Sequence, residues 1–230
     1  MSAPGNNTGP AGPPGGVLPD LNSALTVAFG TPILAYPWPD SAAMNAELRR
    51  LILAKEAADE GLARSNIGGW HSKDDLFNWD SDAIRMLRRR VEMQLMAVMR
   101  QTVKRAATRS FTYRLDGWAN ITRNTGYNRV HNHPNSFWSG TYYVASGEAM
   151  PGLPYNGKLE LLDPRAGVNM IELDGNMFAR NYLVDPIPGL MIFFPSWLRH
   201  IVHPFYGTGE RISIAFNLMI QEGPAPATST

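Results

Sequence analysis

Apolar positions along this chain keep two rhythms. Up to about residue 106 they recur at steps of three and four, the spacing of one helix face; from residue 110 they alternate, as in half-buried strands. Met44, Leu48, Leu51 and Ile52 predict a helix over about 41–63, with Asp40 placed to cap it. Ile84, Leu87, Val91, Leu95 and Val98 predict a second over about 81–106, capped by Asp80 or Ser81. The methionines among them, Met86, Met93, Met96 and Met99, read as packing residues. Before the first helix, 27–36 reads as a strand interrupted at Pro32, and Gly68-Gly69-Trp70-His71-Ser72 as a loop. The alternating region offers strands at 111–122, 126–132, 137–145, 157–162, 180–185, 189–195, 199–204 and 210–220, most of them separated by Gly, Pro, Asn or Asp. Eight short strands after two helices predict a mostly β protein with flanking helices and a double-stranded β-helix core, a cupin-like jelly roll.

Composition narrows the classes. Residues 1–16 and 222–230, rich in Gly, Pro and small residues, read as disordered tails around one domain at 17–221, its β-core at about 110–220. Net charge is +1, which gives no electrostatic case for nucleic acid or an anionic membrane. Arg88-Arg89-Arg90 sits within the second helical pattern and reads as a solvated helix face. No apolar run approaches the roughly 20 residues that span a bilayer, and 1–16 lack the basic start and apolar core of a signal peptide. The absence of cysteine excludes disulfides, thiolate metal sites and a cysteine nucleophile, and agrees with the expected cytoplasmic location.

Candidate chemistry gathers on three of the five histidines. His131 and His133 stand two apart, so on one strand they share a face; His200 ends the apolar run from Gly189. Two imidazoles on one face and a third from a distant strand can form a facial metal site with open positions. His203, three residues from His200, points the other way along a strand and reads as a structural contact or pocket residue; His71 reads as structural or as part of a lid. Arg211 and Ser213 share a face while Ile212 and Ile214 share the other. A guanidinium inside a β-core needs a partner, either a bound carboxylate or a protein one. Trp70, Trp138, Phe137, Trp197 and Tyr127 are candidate pocket walls, though each also reads as plain core.

Gly189 to Pro195, His200 and Arg211-x-Ser213 resemble the C-terminal signature of the non-haem Fe(II)/2-oxoglutarate-dependent dioxygenases. The runs His131-Asn132-His133-Pro134-Asn135-Ser136, Gly157-Lys158-Leu159-Glu160 and Phe194-Pro195-Ser196-Trp197-Leu198 are most similar to a bacterial branch of small 2OG-Fe(II) oxygenases. The resemblance covers about 25–220. It implies a jelly roll, with His131 and His200 on Fe(II) and Arg211 with Ser213 on the far carboxylate of 2-oxoglutarate. It places Asn120, Tyr142 and Asn217 as further polar contacts to the co-substrate. The superfamily's His-x-Asp or His-x-Glu is here His131-x-His133. His133 then ligates, or swings away to leave two histidines, or yields to a carboxylate from Glu160 or Asp163. The implied activity is hydroxylation of a small or amino-acid-like molecule by dioxygen, with release of succinate and CO2. A three-histidine cupin enzyme working without 2-oxoglutarate is the alternative, and a non-catalytic metal-binding jelly roll another. A homodimer is possible for an exposed jelly-roll sheet.

Overall fold

The structure, a computed structural model, describes residues 29–103, 111–167 and 181–222. The expected tails, the start of the first strand and residues 104–106 of the second helix lie outside the described residues, apart from Glu222. The elements are β1 (Leu34–Pro37), α1 (Ala42–Ala58), β2 (Asn66–His71), α2 (Asp82–Thr102), β3 (Phe111–His131), β4 (Trp138–Ala149), β5 (Leu159–Leu162), β6 (Asn181–Val184), β7 (Leu190–Pro195), β8 (His200–Val202) and β9 (Gly207–Glu222). A short 3-10 turn at Leu76–Asn78 precedes α2.

The nine strands of the described residues pair antiparallel in one curled sheet, in the order β1-β7-β4-β9-β3-β8-β5-β6, with β2 on β3. The jelly-roll expectation agrees with this architecture. The two strands expected at 111–122 and 126–132 are one, β3. Its first part pairs with β9, from Phe111↔Glu222 to Thr122↔Arg211. Its last part pairs with β8, at Asn128↔Val202 and His131↔His200. Thr125 has positive φ between the two pairings, so the strand changes partner without a break.

Alternation along β9 sorts the core. Ile212, Ile214, Phe216 and Leu218 are fully buried against the helices, with Leu48 and Ile52 of α1 and Ile84, Leu87, Val91 and Leu95 of α2. Each such side chain contributes on the order of 1.5–3 kcal/mol on burial. Arg211, Ser213, Ala215 and Asn217, the alternate positions, face the hollow of the sheet. A second apolar cluster, including Leu159, Leu161, Ile192, Phe194 and Leu198, closes the opposite side.

Three local expectations change. Residues 66–71 form an edge strand rather than a loop. A Cβ on Gly69 would sit 2.6 Å from the Ile121 carbonyl, so the glycine permits the close approach of β2 to β3. Asp40 does not cap α1; the cap position is Ser41, whose hydroxyl donates to the Trp38 carbonyl at 2.8 Å. Ser81, by contrast, caps α2 and accepts from the Ala83 amide at 3.2 Å. Of the four methionines on α2, Met99 is buried, while Met86, Met93 and Met96 are exposed. No helix among the described residues is long and apolar enough to cross a membrane.

Candidate metal centre

His131 ends β3 and His200 begins β8, and their Cα positions are partners across the two strands. His133 lies just past the end of β3, so shared strand face does not place it. Its backbone amide donates to the Ser196 carbonyl at 3.0 Å, which ties the turn to the segment before His200. One ring nitrogen from each of the three lies within 4.8 Å of the others. Ring centroids are 4.3 Å apart for His131 and His200, and 5.1 Å for both pairs that include His133.

Backbone carbonyls set the tautomers. A carbonyl can only accept, so the bonds from His131 Nδ1 to Arg129 O at 2.6 Å and from His200 Nδ1 to Leu198 O at 2.9 Å leave Nε2 of each as a lone-pair donor. Burial holds all three rings neutral. It lowers His131 below the ordinary histidine value; with the charge of neighbouring imidazoles it brings His133 to about 4 and His200 to about 3. Neutral imidazole is the form that binds a metal.

Among the described residues no carboxylate joins the three. Glu160 accepts from His203 Nε2 at 2.6 Å, which makes His203 a structural partner, and Asp163 accepts from Arg165. Neither acid therefore takes the place of His133. The three rings open onto a cavity of about 370 Å³, within the range of small-molecule sites.

Arg211 lies on the same cavity at 2% exposure. Its Nε donates to the Gly157 carbonyl at 2.8 Å, and its guanidinium stands 5.3 Å from the centre of the Tyr143 ring. Among the described residues no carboxylate pairs with it, and burial lowers its pKa. Around it, one register row crosses four strands: His71 on β2, Asn120 on β3, Ser213 on β9 and Tyr143 on β4. All four line the cavity; Asn120 Oδ1 and the Tyr143 hydroxyl are buried without a hydrogen-bond partner. Burial pushes the Tyr143 phenol up to about 12, against the opposing charge of Arg211, so it stays a neutral donor. A buried cation and buried polar atoms without partners fit an anionic, oxygen-rich ligand. Asn217 lines the cavity too, its Oδ1 accepting from Ser139 at 2.7 Å.

Tyr142 is a correction. It faces the helices, and its hydroxyl donates to Asn45 Oδ1 on α1 at 2.6 Å; its neighbour Tyr143 takes the cavity face. Adjacent tyrosines on a strand point oppositely, and the sequence alone did not say which turned inward. The expected aromatic walls also move. Trp70 and Trp138 belong to the helix-facing core, and Phe137 and Trp197 are half exposed beside a separate groove. Trp118 and Phe194 line the cavity instead. Trp118 was legible in principle, being two residues before Asn120 on the same face.

Residues 116–217 match the model of the family described as "Putative 2OG-Fe(II) oxygenase". Over that segment the chain is similar to the 2OG-Fe(II) oxygenases. Such an enzyme is an oxidoreductase that works with Fe(II) and 2-oxoglutarate. No curated protein matches the sequence. Solved structures share the chain's fold at low identity. A Pseudomonas putida prolyl-4-hydroxylase is 16% identical, with a TM-score of 0.57 over 83% of this chain and 92% of that one. The α-ketoglutarate-dependent epimerase SnoN of nogalamycin biosynthesis is 14% identical, with a TM-score of 0.56 over 86% of each chain. HygX from Streptomyces hygroscopicus, crystallised with nickel and 2-oxoglutarate, is 13% identical, with a TM-score of 0.54 over 87% of this chain and 85% of that one.

Proposed function

We propose that His131, His133 and His200 hold the Fe(II) of this oxygenase. Arg211, with Ser213, takes the far carboxylate of 2-oxoglutarate, and the reaction hydroxylates a small molecule. The observation that carries the reading is Arg211: a buried cation without a protein carboxylate, on the same cavity as three neutral, pre-oriented imidazoles. Burying an unpaired charge costs several kcal/mol, and a ligand carboxylate offsets that cost.

Fe(II) with 2-oxoglutarate supplies, when bound, dioxygen activation coupled to decarboxylation of the co-substrate to succinate and CO2. The chain's residues orient and shield. The Arg129 and Leu198 carbonyls fix two ligand rings through Nδ1. Asn120 and the Tyr143 hydroxyl supply further polar contacts beside Arg211. Asn217 holds Ser139 and borders the co-substrate. Trp118, Leu159, Phe194 and Val202 exclude water around the ion. With His133 in place of a carboxylate, only the near carboxylate of 2-oxoglutarate would offset charge on the ion, since the far one is held by Arg211.

The test is anaerobic addition of Fe(II) and 2-oxoglutarate to the purified protein. A weak visible charge-transfer band is expected, followed by succinate on exposure to oxygen. Metal binding without the band would favour a three-histidine enzyme that does not use 2-oxoglutarate, and absence of metal binding would end the reading.

A further inference from the structure

The segment 64–74 contributes Arg64, Ser65, His71 and Asp74 to the cavity wall, none of them among the ligands proposed for the ion or the co-substrate. It runs close to the histidine cluster: Ser65 Oγ lies 3.4 Å from His131 Nε2, and the Ser65 carbonyl accepts from the Arg129 amide. His71 is 4% exposed and stacked on Trp118, centroids 5.4 Å apart and planes within 12°. Its Nδ1 donates to the Ser72 carbonyl at 2.6 Å, which leaves Nε2 as an acceptor with no partner among the described residues. Burial holds the ring below the ordinary histidine value, with Asp74 and Arg64 acting on it in opposite senses, so both charges stand near it. Neighbouring charges on this segment are engaged: Lys73 pairs with Asp59 at 2.8 Å, and Asp75 accepts from Trp79. The Arg64 guanidinium and the Asp74 carboxylate have no partner among the described residues.

A buried acceptor cannot receive a carboxylate; it calls for an N–H or O–H donor. An acid beside it selects a cationic donor, and an arginine on the same wall selects an anion. We infer that Arg64, His71 and Asp74 form the substrate subsite of this oxygenase, and that its substrate is a free α-amino acid. The ammonium group meets His71 Nε2 and Asp74, and the carboxylate meets Arg64. The inference rests on the reading of the cavity as the 2-oxoglutarate site.

The experiment uses the Fe(II)- and 2-oxoglutarate-loaded protein with the twenty common L-amino acids. Succinate release is followed under air, and the visible band under nitrogen. At least one amino acid is expected to stimulate succinate release tenfold or more and to shift the band. N-acetylation or methyl esterification of that amino acid should each abolish the response. R64Q and D74N should each raise its KM tenfold or more with kcat changed less than threefold, and H71F should do the same, since Phe keeps the stack on Trp118 and removes the acceptor. A normal band with no response to any of the twenty overturns the substrate inference alone. So does an equal response to the acetylated and esterified forms. Absence of the band overturns the cavity reading and this inference with it.

Discussion

His131 and His200 face each other as Cα partners across β3 and β8, and each donates Nδ1–H to the carbonyl two residues before it. The pairing fixes the backbones and the carbonyls fix the rings, so two nitrogens converge before any ion arrives. H131A and H200A are each expected to weaken Ni(II) or Fe(II) binding by at least about 100-fold, beyond the 10–100-fold typical of losing an outer-sphere partner. H133D, which restores a carboxylate at that position, is expected to keep the ion. Anaerobic calorimetry on the three variants measures both.

Arg211 sets a second expectation. A charge-assisted pair is worth about 1.5–3 kcal/mol, so R211M should lose 2-oxoglutarate affinity by about 10- to 150-fold while metal affinity holds. Met matches the length of the arginine stem and removes a desolvated charge. Thermal unfolding without ligands should therefore show a midpoint no lower than that of the parent protein.

The adjacent tyrosines separate stability from binding. Y142F removes the hydroxyl that donates to Asn45 and leaves a buried acceptor unpaired, so about 1–3 kcal/mol of stability is lost and 2-oxoglutarate affinity is kept. Y143F, whose hydroxyl has no protein partner, should show the reverse. Denaturant titration and 2-oxoglutarate binding on the two variants distinguish the outcomes.

The metal-free protein should lose stability as pH falls from about 6.5. His133 and His200 titrate near 4 and near 3 in the folded state, below the ordinary value, so between those limits the unfolded chain binds more protons. Their contribution is fully present above about 6.5 and is lost as pH falls through the folded values. Melting curves of the metal-free protein from pH 8 to pH 4 should slope accordingly, and H133N with H200N should flatten the slope.

Much of the fold was legible from the rhythm of apolar residues. The stripe Ile84, Leu87, Val91, Leu95, Val98 is buried along α2, and β9 keeps its alternation from Arg211 to Leu218. What sequence could not show were effects set by distant backbone. Gly69 belongs to a strand because its missing Cβ leaves room for the Ile121 carbonyl, and β3 runs on through Thr125 where two separate strands were expected. At the site, the three histidines and Arg211 followed from residue chemistry. The exchange of Tyr142 for Tyr143 did not, because only the sheet's curl decides which face looks inward. His71 was seen, but its stacking on Trp118 depends on the register of β2.

The uninterrupted course of β3 works as a measuring rod. It holds Arg211 through Thr122 at one mark and His200 through His131 at another. Adding or deleting a single residue between those marks is expected to shift the histidine cluster relative to the guanidinium. The length of segment 122–131 thus sets how far Arg211 stands from the histidine cluster.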